Sequence, residues 1–523
     1  MGRVSEEGST ITEPHDDATT LARGGALNLF GLTAYAVCNF VLVVLVTRQL
    51  GAAGAGAFLE AIALFNILAR SSMIGADIGL VRFISRFRAT NQVEALRRTI
   101  VVSAAPIAAV GMLAGLVVFL AADPLAKFLS TGKANDDLAT YLRTFAPFVP
   151  VAAVYQALAA GSRGFGSMLP EVAVERLGRA LVVPAAVGAV LAAYLGPTAL
   201  GAAWATPWAL AVVPMGYCTV VLLRRIEARA PAGGGTPVDG LGREFWTFAA
   251  PRSLAGLFQV GILWIDTLLI GVLVSTAASG VYSAATRWLI VGQFAGMAIA
   301  TAFAPQISFV LARHERDRAQ QLFRTATVWF ILLAWPAYLL AALFGPTLVL
   351  TFGPGFAEGA DVLLIVGLGY LFAAATGPVD MVLLMAGRSV LSLVNNGTAL
   401  AVNVGLNLLL LPSLGLRGAA IAWSVSLVLS NALPLLQVWR ADGLHPFSRQ
   451  WALAVASSGG VVGGIGLVLR LVLGSTWPAL VITIILGGAA YVAVLAALRQ
   501  RLDLDTFLRA LRPTKPARAR AVG

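Results

Sequence analysis

Residues Phe245–Val310 read FWTFAAPRSLAGLFQVGILWIDTLLIGVLVSTAASGVYSAATRWLIVGQFAGMAIATAFAPQISFV. Two long apolar runs meet at a short Ser/Thr/Ala/Gly turn. Each is about as long as the roughly 20 residues a helix needs to cross a bilayer. Arg252 stands near the start of the first run, Asp266 in its middle and Arg287 in the second. Arg252, Gln259 and Asp266 are spaced by seven. At about 100° per residue, seven steps return to nearly the same helix face. One face of a membrane-length helix is therefore expected to carry a cation, an amide and an anion in a row. Charges at bilayer depth are costly and face a protein interior or a water-filled cavity, so this row is a candidate substrate path.

The rest of the chain has the same character. Of its 523 residues, 58% are hydrophobic and 12% charged, against about 25% charged in soluble domains. Mean hydropathy is +0.83. The fold class expected is all-α, a polytopic membrane protein. The net charge of +12 sits mostly in short loops between apolar runs, which fits a membrane protein and not nucleic-acid binding. Cys38 and Cys218 both fall in apolar runs and read as small core residues.

Fourteen runs can be drawn. They fall at about 25–47, 54–75, 99–122, 138–161, 171–195 and 199–223, then the two of the opening stretch, then about 325–345, 361–386, 390–412, 417–438, 451–474 and 477–498. Of the 37 Lys/Arg, 28 lie in the tails and in the loops on one side. The positive-inside rule then places both termini in the cytoplasm. The boundaries expected are a disordered cytoplasmic tail (1–22), a first lobe of six helices (23–223), a cytoplasmic linker (224–243), a second lobe of six (244–440), two further helices (441–498) and a basic tail (499–523).

The two lobes read as a repeat. At an offset of about 224, Gly56 and Phe58 fall on Gly280 and Tyr282; Arg97-Arg98-Thr99 aligns with Arg324-Thr325, and Gly161-Ser-Arg163 with Gly387-Arg388. Six helices is an even number, so both copies share one orientation about an axis along the membrane normal. The repeat sets Asn28 opposite Arg252 and Tyr35 opposite Gln259. Asn28, Tyr35 and Asn39 form a polar row on the first run; Asn66, Arg70 and Asp77 form one on the second.

With these segments in view, the chain resembles the polysaccharide (O-antigen-type) flippase branch of the multidrug/oligosaccharidyl-lipid/polysaccharide exporter superfamily. The resemblance rests on LVTRQLGAAGAGAF, GADIGLVRFISR, IDTLLIGVLVSTAASGVYSAATRW, GPVDMVLLMAGR and the count of six, six and two helices, and covers about residues 24–498. It implies two six-helix lobes in a V and alternating access. It also implies transport of an undecaprenyl-diphosphate-linked sugar from the cytoplasmic to the outer leaflet of the bacterial plasma membrane. Polysaccharide polymerase or other envelope-assembly proteins are the partners it suggests.

The candidate cavity residues are Arg252, Arg287, Arg70, Gln259, Asn28, Tyr35 and Asn66, since arginines bind diphosphates bidentately. Arg252 has a second reading, snorkelling to headgroups, and Arg287 has one as an ion-pair partner of Asp266. Asp266, Asp380 and Glu60 are candidates for ion coupling, with a purely structural role as the other reading. His15, His314 and His445 all fall in tails or loops. No GxxxxGK[ST] motif occurs, so neither ATP nor a cofactor is implied, and a proton or sodium gradient or the membrane potential is the expected drive. Anionic lipids are expected at the basic elbow (Arg82, Arg86) and C-tail. Two other functions stay open: an ion-coupled multidrug antiporter, which would favour an acidic cavity, and a polytopic glycan ligase or polymerase, which would need a larger outer loop than 123–137 or 346–360.

Overall fold

The computed structural model describes residues 14–90, 92–130, 134–228 and 240–502, with side chains from Phe30 onward. The protein is all-helical: among the described residues there is no strand, and twelve helices are long and apolar enough to cross a membrane. The first of these, Phe30–Ser71, has 42 residues. At 1.5 Å per residue it would measure about 63 Å, twice a bilayer core. Gly51 breaks it, with φ 68° and ψ −173°, a conformation that glycine adopts without steric cost. The run is thus two helices, α1 (14–50) and α2 (52–71). Residues 14–22, expected to be disordered, are helical. Residues 1–13 of that tail, 229–239 of the linker and 503–523 of the basic tail lie outside the described residues.

The order continues with the elbow α3 (Ala76–Ala89), α4 (Val93–Leu120), α5 (Ala134–Gly164), α6 (171–192), α7 (Pro197–Glu227), the short α8 (Leu241–Ala249), α9 (Ser253–Leu273) and α10 (Thr276–Ala312). It ends with α11 (Arg316–Leu343), α12 (Gly359–Thr376), the short α13 (Val379–Met385), α14 (Ser389–Leu414), α15 (Leu416–Asp442), α16 (Arg449–Leu473) and α17 (Trp477–Ala497). α6 opens with nine π-helical residues, Glu171–Arg179, before its α-helical part. With α6 and the split at Gly51 included, fourteen helices are of membrane length or close to it.

The halves meet at two places. The first is a crossing of the α1–α2 turn with the α9–α10 turn. A Cβ on Gly56 would stand 1.8 Å from the carbonyl oxygen of Thr276, and one on Gly280 would stand 2.3 Å from that of Ala52. The pairs Ala52–Gly280 and Thr276–Gly56 exchange under the sequence offset of 224, so the crossing is symmetric about the axis relating the copies. Small residues four apart let the helix backbones touch, the usual solution where lipid removes the hydrophobic drive. Around the crossing a single apolar core runs from Val43, Val46 and Phe58 to Val281, Tyr338 and Phe352.

The second contact lies at the basic end. Gly75 (φ 73°) ends the turn before α3, and a Cβ there would stand 2.3 Å from the carbonyl of Ala249. Leu80, Phe83 and Phe87 of α3 pack with Leu241 and Phe245 of α8, and Trp246 Nε1 donates to the Val102 carbonyl at 3.3 Å. So α8, in sequence the start of the second lobe, docks on the first. Pro251 and the tight turn Ala250–Arg252 separate it from α9.

A methyl group at Gly56 or Gly280 must push the two turns apart. Overpacking of this kind costs about 1–3 kcal/mol. Gly56→Ala and Gly280→Ala are each expected to lower the melting temperature and to speed thiol labelling of a cysteine at position 35 from the membrane side bearing the turns. Unchanged labelling in both variants would show that the crossing does not close the path.

Candidate functional site

Between the two contacts lies a cavity of about 300 Å³ shared by both halves. α1 supplies Tyr35, Asn39 and Leu42, and α2 supplies Leu59, Ile62 and Asn66. These positions lie at matching distances either side of Gly51, as an antiparallel hairpin requires. Asn66 turns its amide back to the Ile62 carbonyl at 2.8 Å. α6 and α7 add Arg179, Trp204 and Trp208; α9 and α10 add Trp264, Arg287, Gln293 and Phe294.

The two arginines differ. Arg179 is 9% exposed and pairs with Glu175 one turn earlier on the same helix. Its guanidinium carbon lies 3.9 Å from the centre of the Trp208 ring. Charge and ring together hold it rigid, and its charge is cancelled locally. Arg287 sits in a 3-10 turn, Thr286–Leu289, that interrupts α10. Among the described residues it has no salt bridge, and its shielded Nε has no partner. Its guanidinium carbon is 5.7 Å from the centre of the Trp264 ring. A guanidinium in this position is a positive charge without an ion-pair partner inside the helix bundle, and among the described residues no Asp or Glu lines the cavity.

Arg287, Trp264 and Gln293 also line a smaller cavity of about 160 Å³ within the second half. Its floor is Asp266, 2% exposed. Tyr282 donates to Asp266 Oδ2 at 2.9 Å, and Asn407 Nδ2 donates to Oδ1 at 2.8 Å. Asn403, one turn before Asn407 on α14, is wholly buried beside them. The reading of Arg287 as the ion-pair partner of Asp266 is therefore not what the structure shows; Asp266 is held by neutral donors. α9 and α10 are joined here by Ser279 Oγ, which donates to the Thr267 carbonyl at 2.8 Å, and by a Thr267–Ser283 hydroxyl pair at 3.1 Å.

The other sequence candidates scatter. Tyr35 and Asn66 line the central cavity with Arg287. Arg70 lies at the basic end and pairs with Asp77 at 2.7 Å. Arg252 is exposed, donates to the Phe248 carbonyl at 2.8 Å and faces a separate basic hollow. Gln259 is exposed and lines neither cavity. Asp380 lies on α13, beyond the helix end at Gly377, where Ser392 donates to it at 2.7 Å. Glu60 is 0% exposed, with the Ser279 hydroxyl as its polar neighbour; a Cβ on Gly271 would stand 2.3 Å from one of its carboxylate oxygens. Asn28 falls outside the described side chains. Arg179, Gln293, Asn403 and Asn407 were not among the candidates. The i,i+4 pair Glu175 and Arg179 inside an apolar run, and the pair Asn403 and Asn407 inside another, were the signals available.

The profile of a family described as polysaccharide biosynthesis protein matches residues 21–310, more than half of the chain. The chain belongs to this family. The profile of the MatE family matches residues 251–409. Two curated relatives match over shorter stretches. One is the Probable low-salt glycan biosynthesis flippase Agl15 of Haloferax volcanii, 25% identical over 36% of this chain and 39% of that protein. The other is the membrane protein EpsK of Bacillus subtilis, 31% identical over 34% of this chain and 36% of that one. The match thus spans less than half of either relative. Among solved structures, the lipid II flippase MurJ in an inward closed conformation has a TM-score of 0.65 at 11% identity, covering 92% of this chain and 99% of that one. An inward-facing multidrug resistance MATE transporter scores 0.59 at 15% identity, covering 78% and 94%. These likenesses show the fold, that of an all-helical multi-pass membrane protein.

Removing either member of the Glu175–Arg179 pair leaves the other charge buried, which costs about 3–5 kcal/mol. Arg179→Gln and Glu175→Gln should each lower thermal stability in detergent, and the double variant should recover much of it. Additive losses in the double variant would show that the pair does not act as a unit.

Proposed function

We propose that the protein flips a polyprenyl-diphosphate-linked oligosaccharide, with an undecaprenyl carrier, across a bacterial plasma membrane by alternating access. The observation that carries this reading is Arg287: a half-buried cation without a salt bridge, in a cavity shared by both halves and lined by no carboxylate. Such a charge is expensive until an anion arrives. A diphosphate supplies that anion and matches the guanidinium fork. Arg179, neutralised by Glu175, adds donors without adding net charge. Trp204, Trp208 and Trp264 offer flat apolar faces suited to sugar rings, while Tyr35, Asn39, Asn66 and Gln293 supply hydroxyl and amide partners. The carrier chain stays in lipid.

A multidrug antiporter acting on cations would place a carboxylate in this cavity. Asp266 sits in the adjoining pocket, tied to Tyr282 and Asn407, and Glu175 is taken up by Arg179. In this reading Asp266 takes the coupling role, with Asn403 and Asn407 beside it as oxygen and nitrogen donors. Glu60, buried under the glycine crossing, is the second coupling candidate. Both termini lie on the cytoplasmic side, as the loop arginines require.

The assay is translocation of a fluorescent undecaprenyl-diphosphate oligosaccharide in proteoliposomes. Hydrogen bonds to a charged group contribute about 1.5–3 kcal/mol, so Arg287→Ala should slow initial transport by roughly ten- to a hundredfold. Arg287→Lys, which keeps the charge but not the fork, should fall between. Wild-type rates in Arg287→Ala, or efficient efflux of an organic cation dye by the native protein, would sink the reading. If Asp266 couples transport to an ion, Asp266→Asn should abolish the dependence of rate on sodium or on pH while leaving the fold intact. A variant with the native ion dependence would make Asp266 purely structural.

A further inference from the structure

The basic end carries a second cluster that the cavity reading does not use. α3 and α8, from opposite halves of the repeat, flank an open hollow of about 540 Å³ lined by Arg82, Arg243 and Arg252 together with Phe83, Phe248 and Glu244. The guanidinium carbon of Arg82 lies 4.0 Å from the centre of the Phe248 ring, and that of Arg252 lies 3.8 Å from the same centre. Two cations are thus held against one aromatic ring. The sole carboxylate in the lining, Glu244, is already engaged: Arg86 reaches it at 2.6 Å. None of the three lining arginines has a salt bridge among the described residues.

Like charges gathered in this way repel one another unless an anion sits between them. A cation held over an aromatic face is also oriented before any ligand arrives. Ile78, one turn before Arg82 on α3, is an exposed apolar side chain, so the hollow adjoins a surface suited to acyl chains. The geometry points to a site for a phosphate or diphosphate group borne by a lipid, held by Arg82, Arg243 and Arg252 where α3 meets α8. Two kinds of lipid carry this chemistry: an anionic phospholipid and a polyprenyl diphosphate. Because the site draws on both halves, its ligand fastens the basic end shut. The site stands apart from the cargo reading, since a phospholipid alone satisfies it.

The test is native mass spectrometry of the full-length protein in detergent, titrated separately with phosphatidylglycerol, undecaprenyl diphosphate and phosphatidylcholine. The native protein should retain one or both of the first two lipids in preference to the zwitterionic third. Arg82→Gln combined with Arg252→Gln should weaken that retention about tenfold, and lysine at both positions should restore part of it. Loss for undecaprenyl diphosphate alone assigns the site to cargo, and loss for phosphatidylglycerol alone assigns it to a resident lipid. Arg243→Gln, on an exposed side chain, repeats the comparison without disturbing the Phe248 stack. Native-like retention of both phosphate lipids in the double variant and in Arg243→Gln overturns the proposal, whatever becomes of Arg287.

Discussion

The contact between two glycines and two carbonyls governs the rest of this molecule. Gly56 lies against Thr276 and Gly280 lies against Ala52, so two backbone segments share a space that no side chain can enter. The contact fixes how closely the copies approach at the turn end. Everything below it follows along the helices. One to three turns further along α2 come Glu60, Ile62 and Asn66; at matching depth along α10 come Arg287 and Gln293. The cavity exists because α2 and α10 touch at the crossing and diverge beyond it. Its second limit is also a glycine contact, Gly75 against Ala249. At each contact the backbone approach is flanked by a packed apolar cluster, Val43, Phe58 and Val281 at the crossing and Leu80, Phe83, Leu241 and Phe245 at the basic end, so opening either end repacks side chains as well.

Charge is distributed unevenly between the copies. The first half buries a cation with its anion, Arg179 with Glu175, and supports the pair with Trp208. The second half separates its charges: Arg287 stands without a salt bridge and Asp266 is wrapped by neutral donors. A compensated pair stabilises a wall at little electrostatic cost. Separated charges are what the proposed function uses, Arg287 for an anionic cargo and Asp266 for a coupling ion. The repeat thus supplies a common scaffold, while function rests on the positions at which its copies differ.

Much of this was legible in the residues. Apolar run length set the helix count, because the bilayer imposes the same length on every crossing. The offset of 224 found in the sequence returned as a physical symmetry at the crossing. Tyr35 and Asn66 line the cavity from regular stretches of α1 and α2, where face counting works; Arg287 lines it from the 3-10 turn Thr286–Leu289. Face counting fails where the helix is interrupted. Arg252, Gln259 and Asp266 align only if one α-helix runs through all three. Pro251 and the 3-10 turn Ala250–Arg252 detach Arg252, which faces the basic hollow; Gln259 and Asp266 stay on one unbroken helix and differ in depth, the first exposed and the second buried.

The same physics explains Arg179. A π-helical opening to α6 rotates its later residues relative to an α-helical count. Glu175 and Arg179 lie in that opening, and the pair faces Trp208. The sequence held the clue in the four-residue spacing, which brings opposite charges together on one face. What it could not hold was depth, because depth depends on how far the first helix of each copy is pulled in by the glycine crossing. A charge inside an apolar run is therefore best judged by whether its partner lies one turn away. If so, as for Arg179, it builds the wall; if not, as for Arg287, it is left for whatever the cavity carries.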